Sequence, residues 1–348
     1  MAQNPYSLIF GKEPAQLISR AGQTAEITNA FRSEPPTHQI FMITGVRGSG
    51  KTVLMTEVTK QLKKDHDWIV IELNPDRDML VSLASKLSSE NAFAALFQKS
   101  NINLSFFGLG LEVNNTAPIT DIETALSKML KALQRHGKKI LVTVDEAVST
   151  PAMREFASAF QILIRQDLPL FLLMTGLYDN INKLQNEKTL TFLYRAPKIE
   201  IRPLNIGTIA ANYKRNFHLN DPEALDMAKK TRGYSFAFQV LGYFTWEHGV
   251  LNEEVLADYK LYLEEYVYEK IWSELSENDR KLAYGIASAP SGQISEIRDF
   301  LNIETNQFNP YRKRLIKKGL LNGDTHGYVF FTLPLFNQFV LENYGLYE

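Results

Sequence analysis

Residues 42–55 read MITGVRGSGKTVLM. Short apolar residues run into a glycine-rich loop, then a lysine and a threonine, and then apolar residues resume. Gly45, Val46, Arg47, Gly48, Ser49, Gly50, Lys51 and Thr52 fit the pattern G-x-x-x-x-G-K-[ST]. The glycines admit backbone angles closed to other residues, so successive N–H groups can turn around phosphate oxygens. Lys51 supplies a cation for the outer phosphates of a nucleotide, and the Thr52 hydroxyl is offered to Mg2+. A helix opening at Lys51 and running on through Val53 adds the positive end of its dipole. A glycine-rich turn can match the pattern by accident, but here the context matches too. The strand-like run QIFMITG precedes the loop, and TVLMTEVTKQLKK follows with apolar residues at helical spacing.

A second segment completes the site. ILVTVDE, residues 140–146, ends in two carboxylates at the mouth of an apolar run. Asp145 is expected to hold Mg2+, usually through water, and Glu146 to orient and polarise the attacking water. The next apolar run ends at Met174-Thr175-Gly176, which places Thr175 beside Asp145, where it could report the state of the γ-phosphate. A strand-end threonine can equally be a cap.

Around these segments, short apolar runs alternate with amphipathic stretches from Thr37 to about Leu204. HQIFMITG, WIVIEL, KKILVTVDE, LPLFLLMTGL and APKIEIRPL read as parallel strands buried on both faces, giving an α/β doubly wound sheet. NLSFFGLGLEVNN, residues 103–115, alternates apolar residues about Gly108 and Gly110 and reads as an inserted β-hairpin. Residues 1–204 thus form an expected P-loop core. Strand runs vanish over 205–268, where the pattern turns helical, and a helix, helix, basic helix and strand pattern occupies 269–348.

The bulk numbers agree with a folded chain. At 348 residues, 45% hydrophobic and 22% charged, the sequence can bury a sizeable core. The net charge of −1, from 38 Lys+Arg against 39 Asp+Glu, gives no basic whole-chain footprint for nucleic acid. Cysteine is absent, which excludes disulfides and thiolate zinc sites, and the histidines lack ligand-like spacing. The opening MAQNPYSLIFGKEPAQ has no basic start followed by an apolar stretch, and the apolar run from Leu168 is too short to span a bilayer. A soluble, cytoplasmic protein without membrane contact is expected.

With both segments placed, the chain resembles the AAA+ ATPases of the initiator and archaeal-ATPase/STAND-like group. More narrowly, it is similar to bacterial ATP-binding proteins with a C-terminal winged helix. NPYSLIFGKEPAQLISR is similar to the family's entry segment, which packs against adenine; Arg20 matches its arginine, while Ser19 replaces the usual glycine. TRGYSFAFQVLGY is similar to the lid motif Gly-Gly-x-Pro-x-x-x-Gln-x-x-Gly, with Gly233, Gln239 and Gly242 retained. Arg232 stands for the first glycine and Ser235 for the proline. The resemblance implies ATP and ADP as ligands, Mg2+ as cofactor, and an arginine finger at Arg195 acting on a neighbouring subunit's γ-phosphate.

At the C-terminus, ETNQFNPYRKRLIKKGLL puts Phe308, Tyr311 and Leu315 on one helical face. Asn306, Asn309, Lys313 and Lys317 then face outward, with Arg314 at the flank and Gly319 closing the helix. Pro310 is expected only in the first turn of that helix. Such a face could neutralise phosphates and read bases of duplex DNA. Lys/Arg and Asp/Glu are equal in number over 270–348, so a protein partner or a second copy is the rival occupant. The expected activity is slow ATP hydrolysis driving a switch, either DNA-associated through the winged helix or STAND-like signalling, in which the winged helix and the hairpin 103–115 bind a protein partner.

Overall fold

The computed structural model describes residues 3–9 and 14–346, so Phe10 and Gly11 of the entry segment lie outside the described residues. The chain divides into two compact units. One comprises residues 20–44 and 51–200, and the other residues 1–19, 45–50 and 201–348.

The first unit is an α/β layer structure. Its strands are β1 (Ile40–Thr44), β2 (Trp68–Glu72), β3 (Lys139–Val144), β4 (Leu170–Gly176) and β5 (Lys198–Glu200), parallel and in the order β2-β3-β4-β1-β5. Every residue of β1 and β4 is buried, whereas β2 and β5 at the edges are partly exposed. Continuous apolar runs are what strands covered on both faces require. The two faces sort by period. Met42, Val142, Leu172 and Met174 pack toward Met129, Leu133, Phe156 and Phe160. Phe41 and Phe171 turn the other way onto Phe31, with ring centroids 5.4 and 5.3 Å apart. The helices are α1 (Ala21–Arg32), α2 (Lys51–Leu62), α3 (Met79–Ser89), α4 (Asn91–Lys99), α5 (Ile122–Gln134), α6 (Pro151–Ile164) and α7 (Tyr178–Gln185). Local chemistry sets their starts: Asp121 accepts the Thr124 N–H at 2.7 Å, and Thr150 accepts that of Met153 at 3.1 Å with Pro151 following.

The inserted hairpin expected over 103–115 is not formed. Ser105–Phe107 is a 3-10 turn, and no residue of the segment lies in a strand. A single hairpin-like bond survives, Leu104 N–H to Leu111 carbonyl at 2.8 Å. Gly108 and Gly110 both sit at positive φ, and the buried Asn103 amide donates to the Thr116 carbonyl at 2.8 Å. The alternating apolar residues Ile102, Leu104 and Leu111 are spent on the sheet's core rather than on pairing with one another.

The second unit holds α8 (Ile206–Phe217), α9 (Asp221–Lys230), α10 (Ser235–His248), α11 (Glu253–Leu263) and α12 (Glu269–Ser273). A π-helical turn, Glu264–Tyr268, joins the last two. After them come α13 (Glu277–Ser288), α14 (Ile294–Leu301), α15 (Thr305–Lys317) and α16 (Phe336–Asn343), with β6 (Leu321–Asn322) pairing antiparallel to β7 (Phe330–Phe331) before α16. One apolar cluster runs through this unit, from Tyr6 to Val340 and including the fully buried Tyr213, Tyr259 and Trp272.

On α15, Phe308 and Leu315 are buried and Tyr311 half-buried, while Asn306, Lys313 and Lys317 are exposed and Asn309 half-buried. Pro310 departs from expectation. The helix starts at Thr305 behind a Glu304–Gln307 capping box, which puts Pro310 in the second turn. Its missing N–H falls opposite the exposed Asn306. Gly319, at φ 79°, ends the helix with Gly319 N–H to Ile316 at 2.8 Å and Leu320 N–H to Leu315 at 3.0 Å, a Schellman closure. Among the described residues, no helix is long and apolar enough to cross a membrane.

Candidate functional site

Registers align the C-terminal ends of the central strands: Thr44 lies opposite Gly176, and Val144 opposite Met174. Ligand sites of parallel sheets gather at this end. Beyond β3, Asp145 accepts hydrogen bonds from two hydroxyls. Thr52, in the first turn of α2, donates at 2.9 Å, and Thr175 donates to the other carboxylate oxygen. Thr175 is fully buried and also accepts the Glu146 N–H at 3.1 Å. Sequence reading placed Thr175 beside Asp145, and the geometry brings Thr52, Asp145, Glu146 and Thr175 into one cluster.

Glu146 adopts φ 51°, a left-handed conformation that costs a non-glycine residue about 1 kcal/mol. Bonds from its N–H to Asp145 and Thr175 hold it there. Its exposed side chain lines a cleft of about 590 Å³ with Asp145, Glu72, Asn74, Asp76 and Lys86. Those last four residues escaped sequence reading. Glu72 ends β2, Asn74 and Asp76 follow it, and Lys86 donates to the Glu72 carbonyl at 2.6 Å, so the rule that sites collect at strand C-termini is the signal that would have found them.

The residues fit a hard cation. Thr52 donates its proton to Asp145, which leaves the hydroxyl lone pairs for a metal, and Mg2+ usually takes one or two such protein groups with phosphates and water. Among the described residues no three His, Asp or Glu stand close enough together to hold a metal ion by themselves, so phosphates and water would complete the shell.

The loop Gly45–Gly50 connects β1 to α2 and takes positive φ at Gly48 (73°) and Gly50 (94°). Ser49 N–H closes back on Val46 at 3.2 Å. Lys51, Thr52 and Val53, in the first turn of α2, are half-buried. Arg20 precedes α1, its N–H 3.4 Å from Glu57 Oε2. Burial pulls its guanidinium below the usual arginine value, and the Glu57 carboxylate opposes that shift. Arg195 ends a 3-10 turn before β5 and is exposed.

Gln239 and Gly242 hold the N-terminal segment. Gln239 accepts the Ser7 N–H at 3.1 Å and donates to the Gln16 carbonyl at 2.7 Å. Tyr6 lies so close to Gly242 that a side chain there would strike its ring. Arg232 donates to the carbonyls of Phe331 and Leu333 at 3.0 and 3.3 Å.

Residues 16–171 match the AAA ATPase domain family, and residues 265–340 match a domain of unknown function, DUF8462. A sequence search of curated proteins finds no match. Among solved structures, the chain is similar to a Walker-type ATPase of Pyrococcus abyssi at 16% identity and TM-score 0.66, covering 94% of this chain and 96% of that one. It is also similar to the ORC2 protein of Aeropyrum pernix in its ADPNP-ADP complexes, at 14% identity and TM-score 0.61, covering 97% and 96%. At these identities the likeness is one of fold.

Proposed function

From the match of residues 16–171 to the AAA ATPase domain, we propose that this chain is a P-loop ATPase of the AAA+ fold that binds and slowly hydrolyses ATP with Mg2+ and uses the nucleotide state as a switch. The observation that carries this reading is the Asp145 cluster: a carboxylate tied to the hydroxyl that follows the phosphate loop, with a second carboxylate beside it. In this reading the loop from Gly45 to Gly50 holds the phosphates, Lys51 neutralises the outer ones, and Thr52 and Asp145 hold the metal. Mg2+ held by Thr52 and Asp145 would supply charge neutralisation to the bound phosphates. Glu146 accepts a proton from the attacking water, and Thr175 keeps Asp145 and the Glu146 backbone in register. The parts 1–204, 205–268 and 269–348 then serve as core, lid and winged helix.

The switch is read out at the C-terminal module, where Asn306, Asn309, Lys313 and Lys317 suit duplex DNA. A specific observation favours a protein partner instead. The buried Asp279 pairs with Arg314 at 2.6 Å and Lys318 at 3.7 Å, so part of the basic helix is already neutralised.

Lys51→Ala tests the nucleotide site. A lost charge-assisted contact to phosphate is worth tenfold to about a hundredfold in affinity. Calorimetric titration with ATP should show at least that loss, and wild-type affinity in the variant would mean the site is misplaced.

A further inference from the structure

A loop that turns its N–H groups toward an anion turns its carbonyls the other way, and those carbonyls need donors. In the phosphate loop they have them in succession. The Val46 carbonyl accepts from Ser49 N–H at 3.2 Å, and that of Arg47 from the Tyr234 hydroxyl at 2.5 Å. The Gly48 carbonyl accepts from Phe236 N–H at 3.1 Å, and that of Ser49 from the Ser235 hydroxyl at 2.9 Å. Tyr234, Ser235 and Phe236 are consecutive residues at the start of α10.

The arrangement is reciprocal. Tyr234 occupies the cap position of α10 and makes no side-chain cap bond, so the loop satisfies a helix N–H that the cap leaves open. Burial raises the Tyr234 phenol far above its ordinary pKa, which keeps it a protonated donor at any working pH. Gly48 is glycine for two reasons at once: its φ is positive, and a Cβ there would strike the Tyr234 hydroxyl. The brace is itself anchored. Arg232, two residues earlier, donates to the carbonyls of Phe331 and Leu333, and Arg47 pairs with Glu274 at 3.4 Å.

We propose that Tyr234 and Ser235 are positioning residues that hold the carbonyls of the phosphate loop away from bound phosphates, and so set the affinity for the β- and γ-phosphates. This rests on the nucleotide reading above. A brace of this kind acts on the groups the loop wraps, so it should discriminate between nucleotides by phosphate number. Loss of general stability would not.

The test uses the full chain with Mg2+, and measures ADP and ATP by calorimetry and AMP by displacement of a fluorescent ADP analogue. Ser235→Ala and Tyr234→Phe should each weaken ADP and ATP by about tenfold, the size of one lost hydrogen bond. AMP affinity should change less than twofold, and Ser235→Thr, which keeps the hydroxyl, should restore ADP binding. Unchanged ADP affinity in both variants would overturn the proposal, as would an equal loss for ADP and AMP. A wild-type chain that binds none of these nucleotides would instead bring down the nucleotide reading, with the brace falling alongside it.

Discussion

Asp145 and Glu146 are adjacent carboxylates, yet their surroundings fit them for different work. Asp145 accepts from the hydroxyls of Thr52 and Thr175, which directs its lone pairs and holds it at the strand end. Glu146 is anchored through its backbone and presents an exposed side chain to the cleft. A group fixed by its main chain can meet a water molecule without losing its place. Glu146→Gln should therefore preserve the turn and leave ATP affinity within about twofold, while removing the proton acceptor. Loss of a positioned base costs on the order of 10² to 10⁴ in rate, which single-turnover hydrolysis of labelled ATP would read. Turnover equal to wild type in a contaminant-free preparation would take the role from Glu146.

Elements covered on both faces announce themselves, because nothing but an apolar run can fill them. That is why β1, β3 and β4, with the carboxylates closing β3, could be read from residues alone. The segment 103–115 misled for the converse reason. Alternation identifies a strand only when the polar half faces water and a partner supplies the ladder. Here Asn103 and two left-handed glycines curl the chain so that its apolar residues reach an existing core. The brace on the phosphate loop carries no local signal either: Tyr234 and Arg47 are 187 residues apart, and a tyrosine before a helix is unremarked in sequence. Helix α15 lies between these cases. Its buried face followed from spacing, but its charge depends on Asp279, which a reading of that helix alone does not include. If the exposed cations Lys313 and Lys317 meet duplex phosphates, changing both to alanine should weaken binding similarly on every sequence. The slope of log affinity against log salt should become shallower by about two. Wild-type chain without duplex affinity at low salt, with or without ATP, would leave the face to a protein partner.

Across the α/β unit, the position of Arg195 bears on whether one copy of the chain is catalytically complete. It lies just before β5, whose first residue, Lys198, pairs with Met42, two residues short of the C-terminal end of β1. The Asp145–Glu146 cluster is at the C-terminal end of β3, and β1 and β4 lie between β3 and β5. At the usual strand spacing that is a lateral separation of about 14 Å, before adding the offset along the strands. That separation between strands exceeds the length of an arginine side chain, and on that ground we propose that the exposed Arg195 serves the site of a second copy. A cation aimed at developing charge is worth on the order of 10³ to 10⁵ in rate where it can reach. Hydrolysis per subunit should consequently rise with protein concentration in the wild type, through the range where sedimentation shows self-association. Arg195→Ala should associate over the same range yet stay flat at the dilute-limit rate, because the copies still meet but the cation is gone. A wild-type rate independent of concentration across that range would mean that each copy works alone and that Arg195 has no part in the chemistry.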